Sequence, residues 1–281
     1  MSTAEAFDVM NAQDAKIAAA VADAKADICR AVALVVEAFQ SGGRLFYVGA
    51  GTSGRLGVVD AAECPPTFLT DPQQVQGIIA GGDEAMLRSI EGAEDSIAGG
   101  AAEIDKRNVG SNDVVLGIAA GGTTPYVHGA LDCARRRGAR TVFLACVPTE
   151  QAVDDADVSI RVLTGPEVIT GSTRLKAGLA TKMVLNTIST LSMVAIGKVY
   201  GNLMVDLNAK ACAKLVDRAV RILTTLTGLD RAAAADLLDR ADGSVKTALV
   251  MHHRNVDTAD AEQLLGEHQG RVGSIIDADK H

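Results

Sequence analysis

Apolar residues follow two different periods along this chain, and the change of period divides it. From residue 12 to 40 the sequence is alanine-rich with apolar positions at helical spacing, which predicts one long helix ending near Ser41-Gly42-Gly43. Short apolar runs follow at Leu45–Val48, Val75–Ile79, Val114–Ile118, Thr141–Cys146 and Val158–Val162. They have strand length, and helical segments separate them. This alternation predicts an α/β fold: a doubly wound, parallel five-stranded sheet flanked by helices. After Leu163 the strand signal stops. Gly165–Thr173 leads into a long apolar helix over Arg174–Val199. From about Val220 the pattern becomes short helices, each preceded by a cap signal: Thr227-Gly228-Leu229-Asp230, Asp242-Gly243-Ser244 and Asp257. The chain therefore reads as a domain over 1–219 and a small C-terminal helical module over 220–281.

In such sheets ligands bind beyond the carboxyl ends of the strands. Three polar, glycine-bearing loops fall there: Gly49–Gly54, Ala80–Asp83 and Ala119–Thr124. In the first, Gly49-Ala50-Gly51-Thr52-Ser53-Gly54-Arg55, glycines permit close approach of a ligand to the backbone. Thr52 and Ser53 add hydroxyls, and a following helix adds unpaired N–H groups and a positive dipole end. The spacing also matches the dinucleotide fingerprint G-x-G-x-x-G. A dinucleotide site wants an acid some twenty residues on for the ribose. Here that region is Gln73-Gln74-Val75-Gln76, and the second strand ends in Ala80-Gly81-Gly82. Hydroxyls inside the loop suit a terminal monophosphate better. Gly121-Gly122-Thr123-Thr124 is a second such loop. One alone is equally an ordinary turn with a Ser or Thr cap; two on neighbouring strand ends favour phosphate.

Composition narrows the partners. The 281 residues carry a net charge of −8, which argues against nonspecific nucleic-acid or anionic-membrane binding. An anionic ligand must then be attracted locally. The five cysteines show no C-x-x-C spacing, so neither a disulfide framework nor a zinc ribbon is expected. Residues 1–5 do not resemble a signal peptide, and Met183–Gly197 is too short to span a bilayer and is broken by Asn186 and Ser189. A cytoplasmic protein is expected.

Two glutamates stand near the loops. Glu63 ends a predicted helix, with Cys64-Pro65-Pro66 forcing a turn after it. Glu94, in Glu91-Gly92-Ala93-Glu94-Asp95-Ser96, lies within or just after the helix that follows the second strand. Two carboxylates beside one ligand can divide into acid and base, although either alone reads as solvated helix surface. Arg55, Arg174 and Lys176 sit at loop-to-helix junctions, as surface charges or as cations for an anion. Cys64 reads as a packed thiol, and His252 and His253 as structural.

Several blocks together carry a resemblance. Gly49–Gly57, Asp60-Ala61-Ala62-Glu63-Cys64-Pro65-Pro66-Thr67, Ala80-Gly81-Gly82, Glu91–Ser96, Thr170–Gly178 and Gly201–Asp206 resemble the N-acetylmuramic acid 6-phosphate etherase family over nearly the whole chain. The resemblance implies a sugar-isomerase (SIS) domain of flavodoxin-like topology, no cofactor or metal, and a homodimer. It implies cleavage of the D-lactyl ether of a phosphorylated amino sugar, N-acetylmuramic acid 6-phosphate, by elimination and then hydration, in cell-wall recycling. The family's proton donor maps to Glu63 and its second catalytic carboxylate to Glu94. Candidates to hold the phosphate are Thr52, Ser53, Gly54, Arg55, Gly122, Thr123, Thr124, Ser172 and Thr173, with Lys176 as a further substrate contact.

The chain departs from the family pattern twice. Where the family carries Ala-Ser-Gly at the second loop, this chain has Ala120-Gly121-Gly122; and it starts, at Met1-Ser2-Thr3, within a motif that the family usually precedes with a further segment. Two rivals share the fold. An aldose–ketose isomerase would need no acid aimed at a lactyl ether, and a sugar-phosphate sensor resembling the glucokinase regulatory protein would carry two such modules. A homodimer is expected to cover the apolar faces of the N-terminal helix and of 174–199.

Overall fold

The computed structural model describes residues 1–207, 209 and 213–278; Cys212 lies outside them. The chain divides into two compact units. One is Met1–Ala62 with Pro72–Ser192; the other is Glu63–Asp71 with the chain from Met193 on.

The chain runs through α1 (Thr3–Asp14), α2 (Ile17–Asp23), α3 (Lys25–Gln40), β1 (Leu45–Gly49), α4 (Gly51–Phe68), β2 (Val75–Ile79), α5 (Glu84–Leu87), α6 (Ile97–Lys106), β3 (Val114–Ile118), α7 (Pro125–Arg136), β4 (Arg140–Ala145), β5 (Val158–Arg161) and α8 (Lys176–Ala195). The five described strands pair in parallel in the order β2-β1-β3-β4-β5. The doubly wound α/β expectation is met, and each strand lies within a residue of its predicted run. The strand order reverses between β1 and β3. Their ends are level, Gly49 lying opposite Ile118, so the loops that leave them flank the switch point where such sheets hold ligands.

Strand alternation sends side chains to two faces. Phe46, Val48, Val115 and Phe143 pack with Ile104 of α6 and Val127 and Leu131 of α7. Tyr47 points the other way, beneath α4. A Cβ added at Gly57 would lie 2.8 Å from Tyr47 Cβ, and one at Gly77 of β2 would lie 2.5 Å from Val58 Cα. Helix α4 therefore rests its backbone on the sheet. Tyr47 Oη donates to Asp60 Oδ2 (2.9 Å), and Asn186 Nδ2 of α8 donates to Asp60 Oδ1 (3.0 Å). Asp60 is buried, and burial pushes its carboxyl above the ordinary range against the opposing hydrogen bonds from Tyr47 and Ser189.

Three boundaries differ from expectation. The predicted helix over 12–40 is α2 and α3, with a separate α1 before them. Ile17, Val21, Ala24, Ile28, Ala31, Val35 and Ala38 form one buried stripe, which the break at Ala24 does not interrupt; periodicity cannot see such a break. The chain does not turn after Glu63. Helix α4 continues through Pro65 and Pro66 to Phe68 and ends at Leu69, whose φ is +50° and whose N–H bonds the Pro65 carbonyl (2.9 Å). The prolines leave the carbonyls of Ala61 and Ala62 without helical donors, and Ala62 is exposed to solvent. Helix α8 begins at Lys176, two residues later than predicted, and ends at Ala195.

In the second unit the described helices are α9 (Ala213–Thr227), α10 (Arg231–Arg240), α11 (Val245–Arg254), α12 (Thr258–Glu267) and α13 (Val272–Ile276). The predicted caps are present: Asp230 accepts from Ala233 N, Ser244 from Thr247 N and Asp257 from Asp260 N. Leu223, Leu237, Leu249 and Ile275 belong to this unit's own core. Within it Asp206 accepts from the buried Lys246 Nζ (2.6 Å) and pairs with Lys198 (3.3 Å).

Removing the Asp60 side chain takes an acceptor from the buried Tyr47 hydroxyl and the half-buried Asn186 amide, and a stranded buried donor costs about 1–3 kcal/mol. We expect Asp60→Ala to lower unfolding stability by about 3 kcal/mol, read as an earlier urea midpoint; a loss below about 0.5 kcal/mol would refute the pin.

Candidate active site

The first loop is closed by two glycines that touch. A Cβ at Gly49 would lie 2.6 Å from Gly54 N, and one at Gly54 would lie 2.7 Å from Gly49 O and 2.6 Å from Ile79 Cγ1. Gly51, with φ +53°, makes the turn between strand and helix. Thr52 and Ser53 thereby fall in the first turn of α4, at the carboxyl end of β1, and that turn contains no acid. The second loop repeats the device. Gly122 (φ +82°) turns the chain, Thr124 is the N-cap of α7 with Pro125 after it, and its hydroxyl makes no capping bond. His128, one helical turn further on, hydrogen-bonds the Gly122 carbonyl through Nε2 (2.8 Å). Two helix N-termini free of acids, with hydroxyls in them, thus flank the switch point, an arrangement suited to a dianion.

The third N-terminus differs. Glu167 accepts from the backbone N–H of Lys176 (3.0 Å) and Ala177 (2.9 Å), so its carboxylate already fills the anion seat of α8. Ser172 and Thr173 form the turn before that helix. Its start is close to the first loop: a Cβ at Gly178 would lie 3.5 Å from Thr52 Cγ2 and 3.6 Å from the Thr173 carbonyl. Lys176 is 2 % exposed, and its ammonium donates to the Thr164 carbonyl (2.8 Å) and Gln13 Oε1 (3.3 Å). Cys146 lies beneath this helix start, and burial pushes its thiol up to about 12, so it is no nucleophile.

Glu94 occupies a short 3-10 turn, Ala93–Asp95, after the left-handed Gly92. With Gly51 and Arg55 it lines one crevice beside the first loop. Glu63 lies near the end of α4, exposed, in the stretch Glu63–Asp71.

Comparison with known proteins agrees with this geometry. The model of the glucokinase regulatory protein N-terminal SIS domain matches residues 27–135, and the SIS domain model matches residues 96–193. The chain is 56% identical over 276 residues to an N-acetylmuramic acid 6-phosphate etherase of Nostoc punctiforme, covering 98% of this chain and 89% of that one. The chain belongs to the N-acetylmuramic acid 6-phosphate etherase family. It is likewise 59% identical over 248 residues to the etherase of Thermosynechococcus vestitus, covering 88% of this chain and 80% of that one. A protein of Escherichia coli CFT073, solved as a complex, shares the fold, with a TM-score of 0.50, 14% identity and coverage of 69% of this chain and 93% of that one.

Within this etherase-family chain, sequence reasoning passed over two residues that shape the loops. His128 left a weak trace, one turn after Thr124 in the helix that follows the second loop. Glu167 stood in a segment read only as a lead-in to α8, and nothing local marks a carboxylate that folds back onto amides nine and ten residues later. Removing it leaves those amides unpaired. We expect Glu167→Ala to cost about 1–3 kcal/mol in denaturant unfolding, with Glu167→Gln losing less; an unchanged midpoint for both would count against the cap.

Proposed function

We propose that this chain cleaves the D-lactyl ether of N-acetylmuramic acid 6-phosphate, releasing D-lactate and leaving N-acetylglucosamine 6-phosphate, as a carbon–oxygen lyase of cell-wall amino-sugar recycling. The observation that carries this reading is the pair of acid-free, hydroxyl-bearing helix N-termini flanking the switch point, with Glu94 in the adjoining crevice.

The phosphate is remote from the bond that breaks, so its binding energy can hold the sugar in register without entering the chemistry. Thr52, Ser53, Gly54, Gly122, Thr123 and Thr124 are assigned to that grip, and Ser172 and Thr173 to the rim contributed by the start of α8. In the open-chain sugar the aldehyde acidifies the C2 proton, and Glu94 takes it. The electron pair left at C2 forms the C2–C3 double bond as the C3–oxygen bond breaks. Glu63 protonates the departing lactyl oxygen, which is a poor leaving group when charged. Water then adds across the double bond: Glu63, now a carboxylate, takes a proton from the water that attacks C3, and Glu94 returns its proton to C2. No cofactor is called for.

A sugar phosphate is too highly charged to cross a bilayer unaided, which supports the reading of a cytoplasmic enzyme. Helix α1 exposes Phe7, Val9 and Met10, and α8 exposes Leu179 and Leu191. These apolar side chains support assembly as a homodimer.

The test is N-acetylmuramic acid 6-phosphate in D₂O, followed by NMR for lactate and for deuterium at C2. Glu63→Gln and Glu94→Gln are each expected to slow lactate release roughly 10²- to 10⁴-fold. Glu63→Gln keeps C2 exchange and Glu94→Gln loses it. Lactate release at the parental rate in Glu63→Gln would overturn its assignment.

The second loop supplies its own check. Gly121 has an ordinary φ, and a Cβ there meets nothing within 4 Å. Gly121→Ser restores the family hydroxyl without strain. One added hydrogen bond, worth about 1 kcal/mol, lowers KM by roughly fivefold if this loop grips phosphate; an unchanged KM would detach the loop from it.

A further inference from the structure

We propose that Arg55 is a positioning residue that clamps the segment carrying Glu94 to the phosphate loop; this inference rests on the etherase reading above. Its side chain leaves α4 one turn after Gly51 and reaches across to the chain following β2. There Nε donates to the Met86 carbonyl (3.2 Å) and Nη2 to the Arg88 carbonyl (2.9 Å). Helix α5 is a single turn, so these carbonyls at its end have no helical donors of their own. A planar guanidinium can serve both at once; an ammonium is a point charge without that fork.

Packing holds the segment at few points: Ala85 is buried, and Ala93 of the turn that carries Glu94 packs against the core beside α7. From Gly81 to Ala98 only Ala85 is buried, and Leu87 and Ile97 are 89% and 61% exposed. Local bonds shape its interior: Ser89 Oγ donates to Glu91 Oε1 (3.0 Å), Ala93 N to the Ile90 carbonyl (3.4 Å) and Asp95 N to the Gly92 carbonyl (3.3 Å). None of these ties it to the first loop. The Arg55 fork does, and the crevice lined by Gly51, Arg55, Gly92 and Glu94 lies along that tie. The sequence reading assigned the Arg55 charge to the phosphate. The geometry assigns Nε and Nη2 to backbone, and through it to the placement of the base that removes the C2 proton.

The experiment compares parental protein with Arg55→Gln and Arg55→Lys by two readouts. The first is amide hydrogen exchange without ligand. The clamp requires exchange across 84–95 to rise at least tenfold in both variants, with the amides of β1 and β3 unchanged. The second is steady-state lactate release and C2 deuterium exchange with N-acetylmuramic acid 6-phosphate. A misplaced base lowers kcat and C2 exchange together by roughly 10²-fold, with KM and inhibition by inorganic phosphate within threefold of parental. If Arg55→Lys matches parental protein in both readouts, charge rather than the fork is what matters and the clamp is wrong. If KM and the phosphate inhibition constant rise tenfold while kcat and 84–95 protection hold, Arg55 is a phosphate ligand and the clamp is equally wrong. Parental protein that releases no lactate would sink the etherase reading instead, and the amide exchange would still decide whether the clamp exists.

Discussion

Everything at the candidate site depends on how closely α4 sits on the sheet. No Cβ fits at Gly49, Gly54, Gly57 or Gly77, because each faces backbone or a Cβ of the opposing element at under 3 Å. With those four positions bare, the helix lies against β1 and β2, and its first turn starts directly above the end of β1. The loop is tight because the helix is low, not only because glycine bends easily. A side chain at Gly54 would lift the N-terminus that holds Thr52 and Ser53 and separate the first loop from the second.

That placement gives an acidic protein a local seat for an anion. The chain carries net charge −8, so its overall field repels a sugar phosphate. Attraction is left to fixed dipoles at short range. The first turns of α4 and α7 contain no acid, whereas α8 presents its two leading amides to Glu167. An anion placed at the switch point would thus meet two open helix ends and a third that is already satisfied. The same economy applies to cations: Lys176 and Arg55 stand beside the loops, yet Lys176 Nζ and the Nε and Nη2 of Arg55 are engaged with carbonyls or an amide of the protein itself.

Rigidity is distributed unevenly around this seat. Asp60, between Tyr47 and Asn186, ties α4 to both β1 and α8 through one buried and one half-buried hydrogen bond. The chain bearing Glu94 buries little beyond Ala85 and the partly buried Ala93, and hydrogen bonds hold much of the rest. On the proposed reading, the base that meets the C2 proton rides on a part of the fold with small reserves of packing energy, where local opening costs little.

Sequence by itself determined the parallel sheet, its strands and the position of both hydroxyl-bearing loops, because strand-length apolar runs alternate with helical ones and the loops sit at their carboxyl ends. It determined the short capped helices after residue 220 in the same way, since a cap is a local bond between neighbours. It also identified the family, from Glu-Cys-Pro-Pro and Glu-Gly-Ala-Glu-Asp as they stand around Glu63 and Glu94. It misplaced the end of α4, because Pro65 and Pro66 signal a break through the bonds they lack, and the helix was able to forgo those bonds. Tertiary structure alone decided which donors remain available. Glu167 on the α8 amides, His128 on Gly122, Lys176 inside the fold and Arg55 on the carbonyls of residues 86 and 88 are pairings between segments far apart in the chain or turned toward each other only by packing. No periodicity or motif records them, because their partner is a main-chain group whose availability depends on where the backbone has been placed.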